Sequence, residues 1–196
     1  MPSDLRTAAL DPGVRAARAA RDAPVPAGVV CWQVRSGSEL AEHFAIRHRV
    51  FVEEQGVFRG SDRDGHDDDP ATIALIAYCD GVVAGTVRLF PLDEGAGQWQ
   101  GDRLAVLEPF RTGGVGAPLV RCAVATAGVQ GGQAMSAHIQ VPNTSFFRRL
   151  GWRLDGEPEV YAGLPHQPMS IVLPSAEEGA ATVLAVAGAG VSAPDR

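Results

Sequence analysis

No lysine occurs among the 196 residues; all 17 basic side chains are arginine. A lysine nucleophile, Schiff-base chemistry and the lysine of a GxxxxGK[ST] phosphate loop are therefore excluded. Cysteine is scarce as well: Cys31, Cys79 and Cys122 are far apart and form no CxxC pair, so neither a zinc ribbon nor a thioredoxin-type motif fits. Reduced, mostly buried thiols and no metal centre are expected. No apolar run reaches the roughly 20 residues that span a bilayer, and the N-terminus lacks the basic-then-apolar order of a secretory signal. Basic residues are outnumbered by 23 acidic ones, for a net charge of −6, which speaks against a surface built for nucleic acid. A soluble cytoplasmic protein that binds neither nucleic acid nor membrane is the expectation.

What is present suffices for a core: 45% of the residues are hydrophobic, and the length suits one domain with tails. Residues 1–28 read as a flexible leader closing on Ala23-Pro24-Val25-Pro26, residues 29–174 as the domain, and 175–196 as a tail. The capping box Ser175-x-x-Glu178 signals a short helix in that tail. Within the domain, 29–35 alternates as a strand, and Ser36-x-x-Glu39 opens a helix that runs to about Glu54. Residues 72–79 and 82–90 form a hairpin turning at Asp80-Gly81. Further strands are predicted at 103–107, 136–141, from Trp152 onward, and at 166–173. Helices are predicted from the glycine turn at 111–116 to about Gly128, and over 144–150. This order makes a mixed α/β layer.

The segment Arg111-Thr112-Gly113-Gly114-Val115-Gly116-Ala117 joins a strand to a helix. Open amides and the positive end of a helix dipole hold anions there. Gly114 and Gly116 allow close approach, Arg111 adds a charged fork, and Pro118 fits a first turn. The same segment also suits a turn that merely needs flexible residues. The dinucleotide spacing GxGxxG is absent.

The Arg-x-x-Gly-x-Gly pattern at 111–116, following Arg103-Leu104-Ala105-Val106, resembles the acetyl-CoA signature of GNAT N-acetyltransferases. Downstream, 137–143 and Phe146-Phe147-Arg148-Arg149-Leu150-Gly151-Trp152 resemble that family's strand, asparagine and aromatic helix. Arg49 to Gln55 and Leu164-Pro165-His166-x-x-Met169 resemble the first-helix and closing stretches of one branch. Within the family, Gly60 to Asp64, 103–106 and 138–140 are similar to a nitrogen-starvation subgroup found near nitrilase-type genes, which implies a role in nitrogen metabolism.

The resemblance implies an α/β (α+β) fold: a mixed, mostly antiparallel sheet, about four flanking helices, and a splayed central strand pair. It implies acetyl transfer from acetyl-CoA to a small amine in a ternary complex, and a possible homodimer. Leu104, Ala105 and Val106 would pair with the pantetheine amides as an added strand. The amides at 113–117 would hold the pyrophosphate, with Asn143 and Phe147 lining the cofactor arm. An N–H near Val106 would face the oxyanion. Many family members carry a tyrosine acid where this chain has Phe147, which donates no proton. The general base would be His138, Glu53, Glu54 or Glu108, unless His138 is simply a core histidine and Glu54 a surface charge.

Between Gln55 and Pro70 the chain is acidic, with Asp62, Asp64, Asp67, Asp68 and Asp69 around His66. EF-hand spacing is not met. The loop is either a solvated charge run or part of an acceptor site that attracts an amine. Arg47-x-x-x-Phe51, Asp64, Asp67 and Arg88 also resemble elements of acyl-homoserine-lactone synthases, which places these five residues as substrate-binding candidates. A CoA-binding sensor with weak catalysis is the remaining alternative.

Overall fold

The computed structural model describes residues 25–188 apart from 94, 96 and 162; most of the expected leader lies outside them. Eight strands form one sheet in the order β1-β2-β3-β4-β5-β8-β6, with β7 added on β8. They are β1 (Val29–Gln33), β2 (Ile73–Cys79), β3 (Val82–Pro91), β4 (Gln98–Val106), β5 (Ala134–Gln140), β6 (Arg153–Leu154), β7 (Glu159–Tyr161) and β8 (Leu164–Val172). Among the described strands only the β4–β5 pair is parallel. Among the described residues four α-helices flank the sheet: α1 (Gly37–Arg47), α2 (Gly116–Val129), α3 (Thr144–Arg149) and α4 (Ala176–Ala187).

The capping box expected at Ser36 and Glu39 is formed, and starts α1. The helix does not stay α-helical to Glu54. From His48 to Glu54 it widens into a π-helix, closed by the Gln55 N–H donating to the Val50 carbonyl five residues back. The wider turn brings Ile46, Val50 and Phe51 together over Ala105 and Phe58. Asp80 and Gly81 both take positive φ, 50° and 79°, the two-residue hairpin that their identities signal.

β4 starts five residues earlier than the predicted strand, at Gln98. Gly101 and Asp102 weaken the strand pattern locally, yet Gly101 faces Met135 so closely that a Cβ would lie 3.1 Å from its sulfur. Trp99 is buried in this strand.

Two irregularities in β4 shape the molecule. Its pairing with β5 lasts three rungs, Gln98↔Ala134, Trp99↔Met135 and Gln100↔Ser136; beyond them the strands separate, β4 following β3 and β5 following β8. The second is a bulge. Arg88 opposes Asp102 and Thr86 opposes Ala105, so two residues, Arg103 and Leu104, face Val87. Arg103 takes φ 50°, rare for a residue with a Cβ, and such a bulge bends the strand and sharpens its twist.

α2 lies against the sheet and is buried from Pro118 to Gly128. α4 packs on α2 and on β1, so the segment read as a tail belongs to the body of the domain. The crossing is close: a Cβ on Gly179 would sit 2.7 Å from the Ala125 carbonyl oxygen. α1 covers the opposite face. Cys31 and Cys122 are buried and Cys79 half-buried, all as free thiols. No helix among the described residues is long and apolar enough to cross a membrane.

Candidate active site

The divergence of β4 and β5 opens a wedge, and a cavity of about 150 Å³ runs through it, roughly ten times the space that admits one water. Strand alternation divides its lining. Met135, Ala137 and Ile139 of β5 face the α2 side, with Val120, Ala123, Phe147 and Trp152 completing an apolar recess. Ser136, His138 and Gln140 face the α1 side. Gln140 reaches Gln55 at the end of the π-helix at 3.1 Å, and Phe51, Val57 and Phe58 add an apolar lip. The edges of β4 and β5 that diverge beyond Gln100 and Ser136 do not pair with each other, so β4 presents backbone groups to the cavity.

One wall is electrostatic. Arg47, fully buried, holds Asp62 at 2.7 Å and Asp67 at 2.5 Å. Arg88, also fully buried, holds Asp64 at 2.6 Å, Asp67 at 2.9 Å and Asp102 at 2.6 Å. Arg103 reaches Asp62, Asp64 and Asp102 and lies over the Phe58 ring. Burial opposes the charge on Arg88, but the hydrogen bonds it donates to Asp102 and Asp64 outweigh it and raise its pKa. Burial would raise the Asp67 carboxyl; the Arg47 hydrogen bonds, the Asp64 amide and the two guanidinium charges hold it well below the usual range. Hydrogen bonding and charge from Arg88 likewise lower Asp64. Asp102 and Arg103 are the members that border the cavity.

Behind the network, His43 is sandwiched between Thr86 on Nδ1, at 2.5 Å, and Arg47 on Nε2, at 3.0 Å. The Thr86 hydroxyl donates onward to the Leu75 carbonyl, so the ring donates from Nδ1 and accepts from Arg47. Burial first, then the Arg47 charge, pushes His43 down to about 3.

The expected site residues therefore separate into groups. Leu104, His138, Asn143, Phe147 and Phe51 line the cavity. Arg47, Asp64, Asp67 and Arg88 do not line it: their charges are spent on one another, because a guanidinium buried beside them needs those carboxylates. The Arg111 fork is engaged within the chain. Its Nε donates to the Val106 carbonyl at 3.0 Å and its terminal nitrogen pairs with Glu54. Glu54 is thereby engaged, Glu53 pairs with His48, and Glu108 lies exposed on a single 3-10 turn away from the cavity lining. Ala105 and Val115 are core residues. Thr112, Gly113 and Gly114 are exposed at the turn, Gly116 and Ala117 half-buried; Gly114 takes φ 76°. The start of α2 carries no side-chain cap, so no side chain competes for its first-turn amides.

Tyr161, His166, Gln55, Gln100, Asp102 and Arg103 also line the cavity, and Glu159 joins His138 at 2.8 Å. Arg103 and Gln55 fall within stretches that carry the family resemblance. So does His166, in the closing stretch. Tyr161, Gln100, Asp102 and Glu159 have no local signal; Glu159-Val160-Tyr161 is exposed throughout and shows no apolar alternation.

Comparison with known proteins bears on the family and the fold. A Bacillus subtilis (strain 168) protein described as an acetyltransferase is 29% identical over 139 residues, which are 70% of this chain and 92% of the relative. The fold is shared with Escherichia coli ElaA, at a TM-score of 0.65 and 21% identity over 72% of this chain and 98% of that one. It is shared too with the CoA-dependent acyl-homoserine lactone synthase BjaI, at a TM-score of 0.62 and 20% identity over 79% and 88%. Residues 32–152 match the model of the acetyltransferase (GNAT) family, and the chain belongs to that family.

Proposed function

We propose that the protein transfers an acetyl group from acetyl-CoA to the amine of a small acceptor, by direct attack within a ternary complex. The observation that carries this reading is the wedge itself, an open strand edge beside a cavity that passes from one face of the sheet to the other. Such an edge suits an extended amide-bearing arm added as a strand, and Leu104 to Val106 provide it. The uncapped start of α2 and Gly113 to Ala117 fit a pyrophosphate, and Asn143 and Phe147 flank the arm. Acetyl-CoA supplies an activated thioester carbonyl. The chain's own contribution is proximity, a backbone N–H near Val106 for the developing oxyanion, and a base for the amine. Of the carboxylates and imidazoles considered for that base, His138 is the one that lines the cavity. Placement in the nitrogen-starvation subgroup, a cytoplasmic location and a homodimer belong to the same proposal.

One observation favours a second reading. The apolar recess at Val120, Ala123 and Met135 lies on the α2 side of the wedge and has the lining a longer acyl chain needs, as in an acyl-homoserine-lactone-synthase-like enzyme. Titration calorimetry with CoA, acetyl-CoA and longer acyl-CoAs, followed by thiol release with an amine panel, separates the two. Tightest binding and fastest turnover with acetyl-CoA support acetyl transfer. A longer chain preferred by tenfold or more, and lost in Ala123→Leu, supports the second reading. Binding with no turnover on any amine would leave a CoA-binding sensor. Gly114→Asp is expected to weaken CoA binding at least about 100-fold, because it brings a like charge to the turn and a side chain to positive φ. Unchanged affinity would remove the pyrophosphate from 113–117.

A further inference from the structure

The last strands assemble a set of rings and a carboxylate that the transfer reading alone does not require. β7 pairs with β8 so that Glu159 opposes His166 and Tyr161 opposes Leu164. His166 also opposes Gln140 of β5. Directly opposed residues share a face, and alternate residues along a strand do too. Glu159, Tyr161, His166, His138 and Gln140 thus project from one face of the sheet. The side chains confirm it. His138 Nε2 lies 2.8 Å from Glu159 Oε1. The Tyr161 ring stacks on the His138 ring with centroids 5.0 Å apart and planes within 8°, and meets His166 edge-on at 5.4 Å. The His166 Nδ1 bonds the Leu164 carbonyl at 2.9 Å, pinning the turn between β7 and β8. His138, Tyr161 and His166 all line the cavity.

We propose that Glu159 is a positioning residue for His138, with Tyr161 as its platform, so that His138 accepts the acceptor's proton through Nδ1. The proposal rests on the acyl-transfer reading. Which imidazole nitrogen carries the proton is set by the hydrogen bond of the other. A carboxylate accepting from Nε2 places the neutral ring's proton there and leaves the lone pair on Nδ1; Tyr161 holds the ring plane. The same carboxylate stabilises the imidazolium once formed. In the step served, the amine nitrogen bonds to the thioester carbonyl carbon and its proton passes to Nδ1. The carbon–sulfur bond breaks with its electron pair on sulfur. The thiolate leaves and is protonated from solvent, to which the imidazolium returns its proton.

The test combines kinetics with the ring's own state. Glu159→Ala is expected to lower kcat about tenfold, within the range seen when a residue orienting a functional histidine is lost, with KM changed less than about twofold. Glu159→Gln, which keeps an acceptor oxygen, should fall between the two. In a His138→Ala background, Glu159→Ala should change nothing further; an equal loss in that background would mark a merely structural role and overturn the proposal. Imidazole nitrogen NMR should show His138 protonated on Nε2 in the neutral wild type and a tautomer mixture in Glu159→Ala. A wild-type ring protonated on Nδ1, or one indifferent to Glu159, overturns the proposal whatever the turnover. If instead the wild type acylates no amine, the transfer reading falls and His138's role as base falls with it. Full kcat in Glu159→Ala beside normal wild-type turnover sinks the positioning role alone.

Discussion

Arg88→Met is expected to destabilise the domain by about 3–5 kcal/mol, the usual cost of leaving buried charge uncompensated, and to lower Tm by about 6–20 °C for a chain of this length. The substitution preserves much of the aliphatic volume, so the loss isolates the guanidinium. Arg88 has no solvent exposure and serves Asp64, Asp67 and Asp102 at once. Without it, four carboxylates, Asp62 included, share Arg47 and Arg103, and the Asp67 side chain, only 2% exposed, cannot rehydrate where it stands. Asp64→Asn gives the contrast. Its carboxylate is 35% exposed, water takes over part of its solvation, and the expected cost is about 1 kcal/mol. Urea titration of both variants decides the matter, and similar small losses would mean that the network is no more than a surface cluster. Arg88→Lys should recover part of the stability, since a single ammonium cannot make the paired contacts of a planar fork.

The second large effect is a loss of stability in mild acid, centred on His43. Its folded pKa of about 3 lies below the roughly 6.5 of an unfolded histidine. Below pH ~6.5 the unfolded chain therefore binds a proton that the folded chain refuses, and stability falls as pH falls, by about 1.4 kcal/mol per unit until the folded group titrates. Between pH 7 and 5 that amounts to roughly 2 kcal/mol. The depressed carboxylates Asp64 and Asp67 work in a different window. Their stabilisation is present above an unfolded pKa near 4 and is lost only as pH drops further. Denaturant unfolding at the two pH values, in wild type and His43→Gln, separates the contributions. The variant should start less stable at pH 7, having lost the Thr86 and Arg47 contacts, and should show a slope about 2 kcal/mol shallower across this interval. Parallel slopes in both proteins would rule His43 out as the origin.

Why some of this was legible in the sequence and some was not follows from the range of each interaction. Ser36 with Glu39, Asp80-Gly81 and Ser175 with Glu178 are local devices, complete within four residues, and each forms as its spelling indicates. The alternation Met135, Ala137, Ile139 against Ser136, His138, Gln140 is a property of one strand and placed His138 beside the cavity. β4 was only half visible, because Gly101 and Asp102 interrupt the apolar pattern for reasons that lie on β5 and β3. The arginine–aspartate network was not legible at all. Arg47 and Asp67 are 20 residues apart, and Arg103 and Asp62 are 41 apart; nothing in either neighbourhood says that they will neutralise each other rather than face a ligand. The partner of Arg111 is likewise distant in sequence. The arginine's position in the turn suggested an anion; that Glu54, 57 residues away, folds up beside it is written in neither neighbourhood. Tyr161 is a ring on an exposed three-residue strand, and only the pairing of β7 with β8 brings it to His138.

The close crossing of α4 over α2 has a mechanical side. The sheet is two half-sheets riveted at three rungs, and the chain leaves the second half at β8 only to fasten itself, through α4, onto β1 and α2 of the first. The last helix is a clasp. The seating of Gly179 against Ala125 is where that clasp shuts, and a single methyl added there would act as a shim between the two helices.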